Sequence, residues 1–399
     1  MDLHTSLPYS IFQHGAVSSY PSLDKNINID VIIVGAGITG SLVAWYLTQA
    51  GIKCAVVDKR HVATGSTAAS TSLIQYEIDT PLYQLIKKIG YDGAVRSYQL
   101  CLQSINTLET ICNKISDKEF FEKKCSLQIA SNKKHAKALE KEFQLRKSLG
   151  FDVDLLDANQ LQSKFRLEKE AGILSNNAAQ VDAYLLTHKL LQTTPELKSK
   201  VYDKTEIVSI EHQAKGVVLK TRRGNIISAK KLIIACGYES HRYLSKKVED
   251  IFTTYVILTE PLNQKKLWYG NCLIWETANP YLYMRITNEN RILVGGKDTP
   301  YKVRDPFGLI NKKAIELQKS FQKFFPHLPC IIDFKWAGAF ATTKDGLPYI
   351  GCVPERPNTY FALGFGGNGI TFSVIAAQII TNLINGKNDP DAYLFSFDR

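Results

Sequence analysis

A chain of 399 residues, 45% hydrophobic and 22% charged, has the make-up of an ordinary globular protein with room for two associated domains and sizeable cores. The formal charge of +11 rests mostly on lysines in amphipathic stretches such as Lys133–Lys147, where the charges alternate in sign around Ala138, Leu139, Phe143 and Leu145. That pattern reads as a solvated helix face and argues against a nucleic-acid partner, although a positive field would help an anionic substrate approach. The eight cysteines are scattered, without C-x-x-C pairs or a His partner at ligand spacing, so no metal site is expected. They read as small buried hydrophobes in a reducing, cytoplasmic setting.

Residues 1–27 form a Pro-containing extension studded with Tyr9, Phe12 and Tyr20. It has neither the basic start nor the apolar core of a signal peptide, and its apolar residues predict packing on the body of the protein. The next stretch, Asp30–Asp58, reads as strand, turn, helix, turn, strand. Val31–Val34 is a β-branched run, and Gly35, Gly37 and Gly40 follow at G-x-G-x-x-G spacing. Ile38 and Thr39 open a helix, Cys54–Val57 is a second strand, and Asp58 closes it, with Lys59 and Arg60 just beyond. Gly35 permits the sharp turn, Gly37 lets a pyrophosphate approach the backbone, and Gly40 lets the helix lie close to the strand. The helix N-terminus offers N–H groups to phosphate, and Asp58 is placed for a ribose diol, which disfavours a 2′-phosphate. Val31–Ala50 is apolar, but its glycines and polar residues exclude a transmembrane span.

After Asp58 comes a loop rich in Gly, Ser, Thr and Ala that opens a helix at Ser66–Thr71. Residues 80–115 are helical by periodicity, Phe120–Ala130 alternates as a strand, and Ala136–Leu149 is a surface helix. Tyr184–Leu191 is helical. Ile207–Glu211, Val217–Thr221 and Asn225–Ser228 form a small meander feeding the buried strand of Lys231–Gly237. Residues 251–296 are all strand, an inserted second domain. The chain then returns to helix at Asn311–Phe325, to a strand near Phe334, and to a Gly-rich end whose helix spans roughly Ile370–Asn385. His61, His135, His188 and His327 lack a nucleophile or metal context and read as surface residues.

The dinucleotide fingerprint, GSTAAS at Gly65–Ser70, KLIIACG at Lys231–Gly237 and DGLPYIG…YFALGFGGNGITF at the C-terminus occur in an order that resembles the D-amino-acid oxidase superfamily of FAD enzymes, including glycine and sarcosine oxidases. The resemblance covers nearly all of the chain past residue 28. It implies an α/β fold: a discontinuous Rossmann-like FAD-binding domain (28–112, 172–250 and 333–399) with an inserted, mostly antiparallel β substrate domain (113–171 and 251–332). It also implies that Gly65, Ser66 and Thr67 lie along the phosphates and flavin. Ile207, Ala235 and Gly237 would line the adenosine side. Gly338, Gly366, Gly367, Asn368, Gly369, Ile370 and Thr371 would lie around the flavin, where a helix N-terminus stabilises negative charge.

The chain departs from the family pattern in one region. Where amino-acid-oxidising members place a carboxylate-clamping arginine after a W-x-G segment, this sequence has Trp336-Ala337-Gly338-Ala339-Phe340. Gly338 stands where sarcosine-oxidising members attach flavin through cysteine, and Thr371 where they carry an oxygen-activating lysine. FAD is therefore expected to be non-covalent, and the electron acceptor is open between oxygen and a quinone or carrier. Tyr281, Tyr283 and Arg285 alternate along one strand and share a face. With Lys297 on the next strand, Tyr283 and Arg285 are candidates to fix an acidic substrate group, and Gln75, Tyr76 and Glu77 are candidates to face the flavin ring. The expected chemistry is oxidation of a small amine or amino acid by hydride transfer to flavin N5. The alternatives are a 2-hydroxy acid or polyol dehydrogenase of the same superfamily, or a flavin-bearing RNA-modifying or RNA-binding protein.

Overall fold

The computed structural model of the chain describes residues 1, 3–115, 120–194, 200–301 and 307–399. Among these residues the strands form two sheets, one of eight strands and one of ten. The first is built around Ile27–Val34, buried from Val31 onward. Cys54–Val57 lies parallel to it on one side, followed by Val201–Tyr202. Ile226–Ile234 lies parallel on the other side, followed by Thr359–Leu363 and then Tyr349–Cys352. The segments expected as two strands, Asn225–Ser228 and Lys231–Gly237, are one continuous strand, Ile226–Ile234, with the meander of Ile207–Gln213 and Gly216–Thr221 paired to its first half. The parallel centre is covered on both faces, which is why its strands read as unbroken apolar runs. One face carries the helices Ile38–Gln49 and Gly369–Ile384, packed against each other in a core that includes Leu42, Val43, Ile375 and Ile379. The stretch Gly366–Ile384 is long and apolar enough to cross a membrane, but 67% of it is buried inside this protein.

The second sheet runs in the order His4–Thr5, Ile332–Thr342, Asp250–Thr259, Ile292–Pro300, Tyr283–Ile286, Leu273–Glu276, Phe121–Ile129, Ala171–Val181 and Leu73–Gln75, with Val153–Asp157 also on Ala171–Val181. Its pairings are antiparallel except Leu273–Glu276 with Phe121–Ile129. Leu73–Gln75, Ala171–Val181 and Ile332–Thr342 belong to this sheet, although the sequence division gave them to the cofactor-side segments. All three take their backbone partners within this second sheet: Leu73–Gln75 from Ala171–Val181, Ala171–Val181 also from Phe121–Ile129, and Ile332–Thr342 from Asp250–Thr259. The N-terminal segment also packs here: His4–Thr5 pairs with Ile332–Thr342, Tyr9 meets the Phe334 ring edge-on, and Phe12 packs on it at a tilt.

Two sequence expectations change. The helix Lys133–Ser148 is not a purely solvated face: Arg146 is 1% exposed and sits between the carboxylates of Glu77 and Glu142. Arg146 also donates to Gln128 Oε1 at 2.9 Å, so this helix is fastened to the second sheet by a buried ionic network. His188 is buried rather than on the surface, hydrogen-bonded to the Tyr20 hydroxyl, and burial pulls its pKa down to about 4.

Candidate active site

A long cavity runs between the two sheets, from the end of Ile27–Val34 to the inner face of the second sheet. At the first-sheet end the glycine fingerprint behaves as its spacing predicts. Gly35 turns at φ +116°, where a side chain would collide with the Ala235 carbonyl, and a Cβ on Gly40 would collide with the Gly35 carbonyl. Gly40 therefore sits behind the cavity and sets the close approach of helix to strand, while Gly35, Gly37, Ile38 and Thr39 line it. The helix starts at Gly37 without a side-chain cap, leaving its N–H groups to face the cavity, apart from Ile38 N–H, which donates to Thr67 Oγ1 at 3.0 Å. Gly65, Ser66 and Thr67 form the opposite wall, and Ser66 Oγ is buried without a hydrogen-bond partner. Such an orphaned hydroxyl facing free helix N–H groups fits a phosphate-bearing cofactor.

Asp58 accepts from Ala36 N–H at 2.7 Å and Arg60 N–H at 2.8 Å. Burial raises its pKa, opposed by those two hydrogen bonds. The cations lining the cavity, Lys59, Arg60 and Arg242, all gather on Glu239, at 2.7, 2.8 and 3.7 Å. Burial disfavours the Glu239 charge, but hydrogen bonds from Arg60 and Lys59 outweigh it and hold its pKa down at about 2. Ile207, Ala235 and Gly237 complete this end. Leu3 lines the cavity as well, and Arg60 Nη2 donates to the Met1 carbonyl at 2.9 Å, so the extension is part of the enclosure.

The other end is lined by Gln75, Tyr238, Thr254, Tyr281, Tyr283, Asp298, Gly338, Phe340 and the turn of Gly364–Gly367, with Gly369 and Ile370 where the last helix begins. Asp79 ties the parts together. It accepts from the Tyr281 hydroxyl at 2.9 Å and from Gly367 N–H at 2.9 Å, bridging the second sheet to the C-terminal turn.

Besides Gly40, six expected site residues lie outside this cavity. Tyr76 stacks on Phe151 in the core, because adjacent strand residues face opposite ways and Gln75 takes the cavity side. Asn368 and Thr371 turn one helical face toward the strand Leu73–Gln75, donating to the Gln75 carbonyl at 3.0 and 3.2 Å. Arg285 shares a face with Tyr281 and Tyr283 but is carried past the rim. Its Nε donates to the Thr71 carbonyl at 2.6 Å and Nη1 to Gln180 Oε1 at 3.3 Å, and it lines a separate cavity behind residues 67–72. Lys297 sits in a bulge, with φ +136° at Gly296 and +59° at Lys297, where the pairing with Asp250–Thr259 slips between Thr253 and Tyr255. The bulge directs Asp298, not Lys297, into the cavity, and the Lys297 charge instead acts on Glu316 of the helix Phe307–Phe324. Glu77 pairs with Arg146 in the core.

Sequence reasoning missed Asp298, Tyr238, Thr254, Asp79 and Glu239. The Gly295-Gly296 pair ahead of Asp298 was the available signal for a bulge. Burial lifts the Asp298 carboxyl to about 6, with Thr254 favouring its charged form, and Oδ1 is buried without a partner. Glu249, 4% exposed, is lifted to about 7 by burial, with only the Gly364 N–H to oppose it.

The family model described as DAO, FAD dependent oxidoreductase, matches residues 30–383. The chain belongs to this family. It is an FAD-dependent oxidoreductase of the amino-acid-oxidase type. Gamma-glutamylputrescine oxidoreductase of Escherichia coli K12 is 26% identical over 97% of this chain and 90% of its own length. Glycine oxidase of Geobacillus kaustophilus is 22% identical over 93% and 97%. The crystal structure of that glycine oxidase superposes with a TM-score of 0.81 at 20% identity, covering 93% of this chain and 99% of its own. L-proline dehydrogenase of P. horikoshii gives 0.77 at 19%, covering 94% and 97%. These superpositions establish the α/β fold with its cofactor sheet and covering substrate sheet.

Proposed function

We propose that this oxidoreductase oxidises a small amine or amino acid at the carbon next to nitrogen, releasing an imine that water hydrolyses. FAD, when bound, would supply the two-electron acceptor for the hydride, at flavin N5. The fingerprint residues Gly35, Gly37 and Asp58, with Ser66 and Thr67, hold the dinucleotide. Cys236 is the one cysteine lining the cavity, and its thiol donates to the Val34 carbonyl. With Gly338 in the covering wall, this favours a non-covalent cofactor that acid precipitation should release; flavin left in the pellet would refute that.

The observation that carries the reading is Asp298, a carboxylate with an unpartnered Oδ1 on the covering sheet. It favours a basic nitrogen over the anion of a hydroxy acid, and Oδ1 can take the proton that an ammonium sheds before its C–H bond is broken. Asp79 fixes the turn of Gly366–Gly367 against Tyr281, and the covering sheet keeps bulk water from the reacting carbon. Flavin bleaching under anaerobic conditions with panels of amines, amino acids and 2-hydroxy acids tests this directly. Bleaching by 2-hydroxy acids alone would overturn it.

A further inference from the structure

Resting on the reading of this cavity as the site of amine or amino-acid oxidation, we infer that its covering-sheet end is a cation cage: Tyr238, Tyr281 and Tyr283 form aromatic walls around a positively charged group of the substrate, Asp298 supplies the counter-charge, and the reacting carbon bears no carboxylate.

Three independent features lead there. First, among the described residues no cation lines this end: Phe340 occupies the clamp position, Arg285 is engaged with Thr71 and Gln180, and Lys297 is turned away by the bulge. A substrate carboxylate placed here would meet Asp298 and Asp79 with no cation in the cavity wall to receive it. Second, the walls are aromatic. The Tyr281 and Tyr283 rings stand 5.8 Å apart at 61°, forming a corner, and Trp275 backs Tyr281 at 5.9 Å. Tyr283 lies on Gly295, where any Cβ would collide with the ring, so that glycine seats the ring flat on the neighbouring strand. Aromatic faces with a nearby carboxylate are the surroundings that favour an ammonium ion once it leaves water. Third, the hydroxyls are held. Tyr281 donates to Asp79, and Tyr283 is 3.0 Å from Thr254 Oγ1, which fixes the rings before a ligand arrives. Asp298 is raised by burial to about 6, so it is charged at neutral pH; Asp79 pushes its pKa up and Lys313, on the helix Phe307–Phe324, pulls it down.

The substrate class is therefore a cationic amine, such as a diamine or an N-alkylated amine, rather than an α-amino acid. The test uses FAD-loaded protein and two redox-inert probes, tetramethylammonium and acetate, titrated by calorimetry. Tetramethylammonium should bind, and acetate should not. Asp298→Asn should weaken the tetramethylammonium affinity at least about tenfold and Tyr283→Leu about fivefold, with FAD content unchanged. Binding to the parent protein should fade as pH falls below about 6. In anaerobic bleaching, amines without a carboxylate should reduce the flavin and their α-carboxylated counterparts should not. Binding of acetate in place of tetramethylammonium would overturn the cage. So would reduction by α-amino acids with affinities indifferent to both substitutions, although oxidation next to nitrogen would then still stand. Reduction by 2-hydroxy acids alone would remove both.

Discussion

The two ends of the cavity handle charge in opposite ways. At the fingerprint end every charged group has a partner: Glu239 collects Lys59, Arg60 and Arg242, and Asp58 holds two backbone N–H groups. At the covering-sheet end Asp298 has an unpartnered oxygen, and nearby Glu249 has no cation beside it, only the Gly364 N–H. Paired charge makes a rigid cradle for a cofactor that stays. Unpaired buried charge costs stability and persists where a ligand completes it. The contrast predicts that substitutions at the two ends affect separate quantities.

The largest effect is expected where the ends share a support. Arg146→Met would leave Glu77 and Glu142 buried without their cation, a loss of about 3–5 kcal/mol. Because Glu77 precedes Asp79 and Glu142 accepts from the N–H groups of Leu82 and Tyr83, cofactor retention and substrate affinity should fall together. Urea unfolding and flavin content measure this, and loss of only one of the two functions would show that the ends are independently supported.

Next comes Glu249. Its folded pKa of about 7 lies above the usual 4.5, so the folded state keeps a proton that the unfolded chain has released. Its contribution is complete below about 4.5 and is lost as pH rises through 7, on the order of 3 kcal/mol in total. Glu249→Gln should flatten this part of the stability profile and leave the variant more stable than the parent at pH 8. Asp298 has the same sign and keeps a smaller slope in place. An unchanged profile in thermal unfolding between pH 5 and 8 would mean that Glu249 is ionised throughout.

Asp58→Ala should weaken FAD binding by roughly 1.5–3 kcal/mol in a titration of apoprotein, while the reloaded enzyme keeps its substrate affinity. The smallest effect is expected from Arg285→Met: with its guanidinium committed to Thr71 and Gln180, substrate affinity in an anaerobic titration should stay at the parent value. A clear rise in Kd would return Arg285 to the site.

The fingerprint end was legible because its residues are neighbours in sequence. Gly35, Gly37 and Asp58 belong to one strand–helix–strand unit whose spacing dictates its geometry. The covering end draws on residues near 238, 254, 281, 298 and 340, brought together only by strand pairing, and a one-residue bulge at Gly296 reverses which of Lys297 and Asp298 faces inward. Strand alternation also meant that Gln75 and Tyr76 could not both face the flavin. Tyr281 and Tyr283 were readable as a shared face; where that face stopped meeting the cavity, short of Arg285, was not.

The order of strands in the first sheet also bears on how the molecule is made. Ile27–Val34 leaves the ribosome early, yet one of its neighbours, Ile226–Ile234, emerges some 200 residues later, and the helix Gly369–Ile384 that packs on Ile38–Gln49 comes later still. Until then the nascent chain carries an unpaired apolar edge and an uncovered helix, the kind of surface that recruits chaperones and invites aggregation. Flavin capture must therefore be a late step of biogenesis. A translation product stopped before Thr359–Leu363 would have its fingerprint intact and still lack the strand and the closing helix that seal the cofactor in.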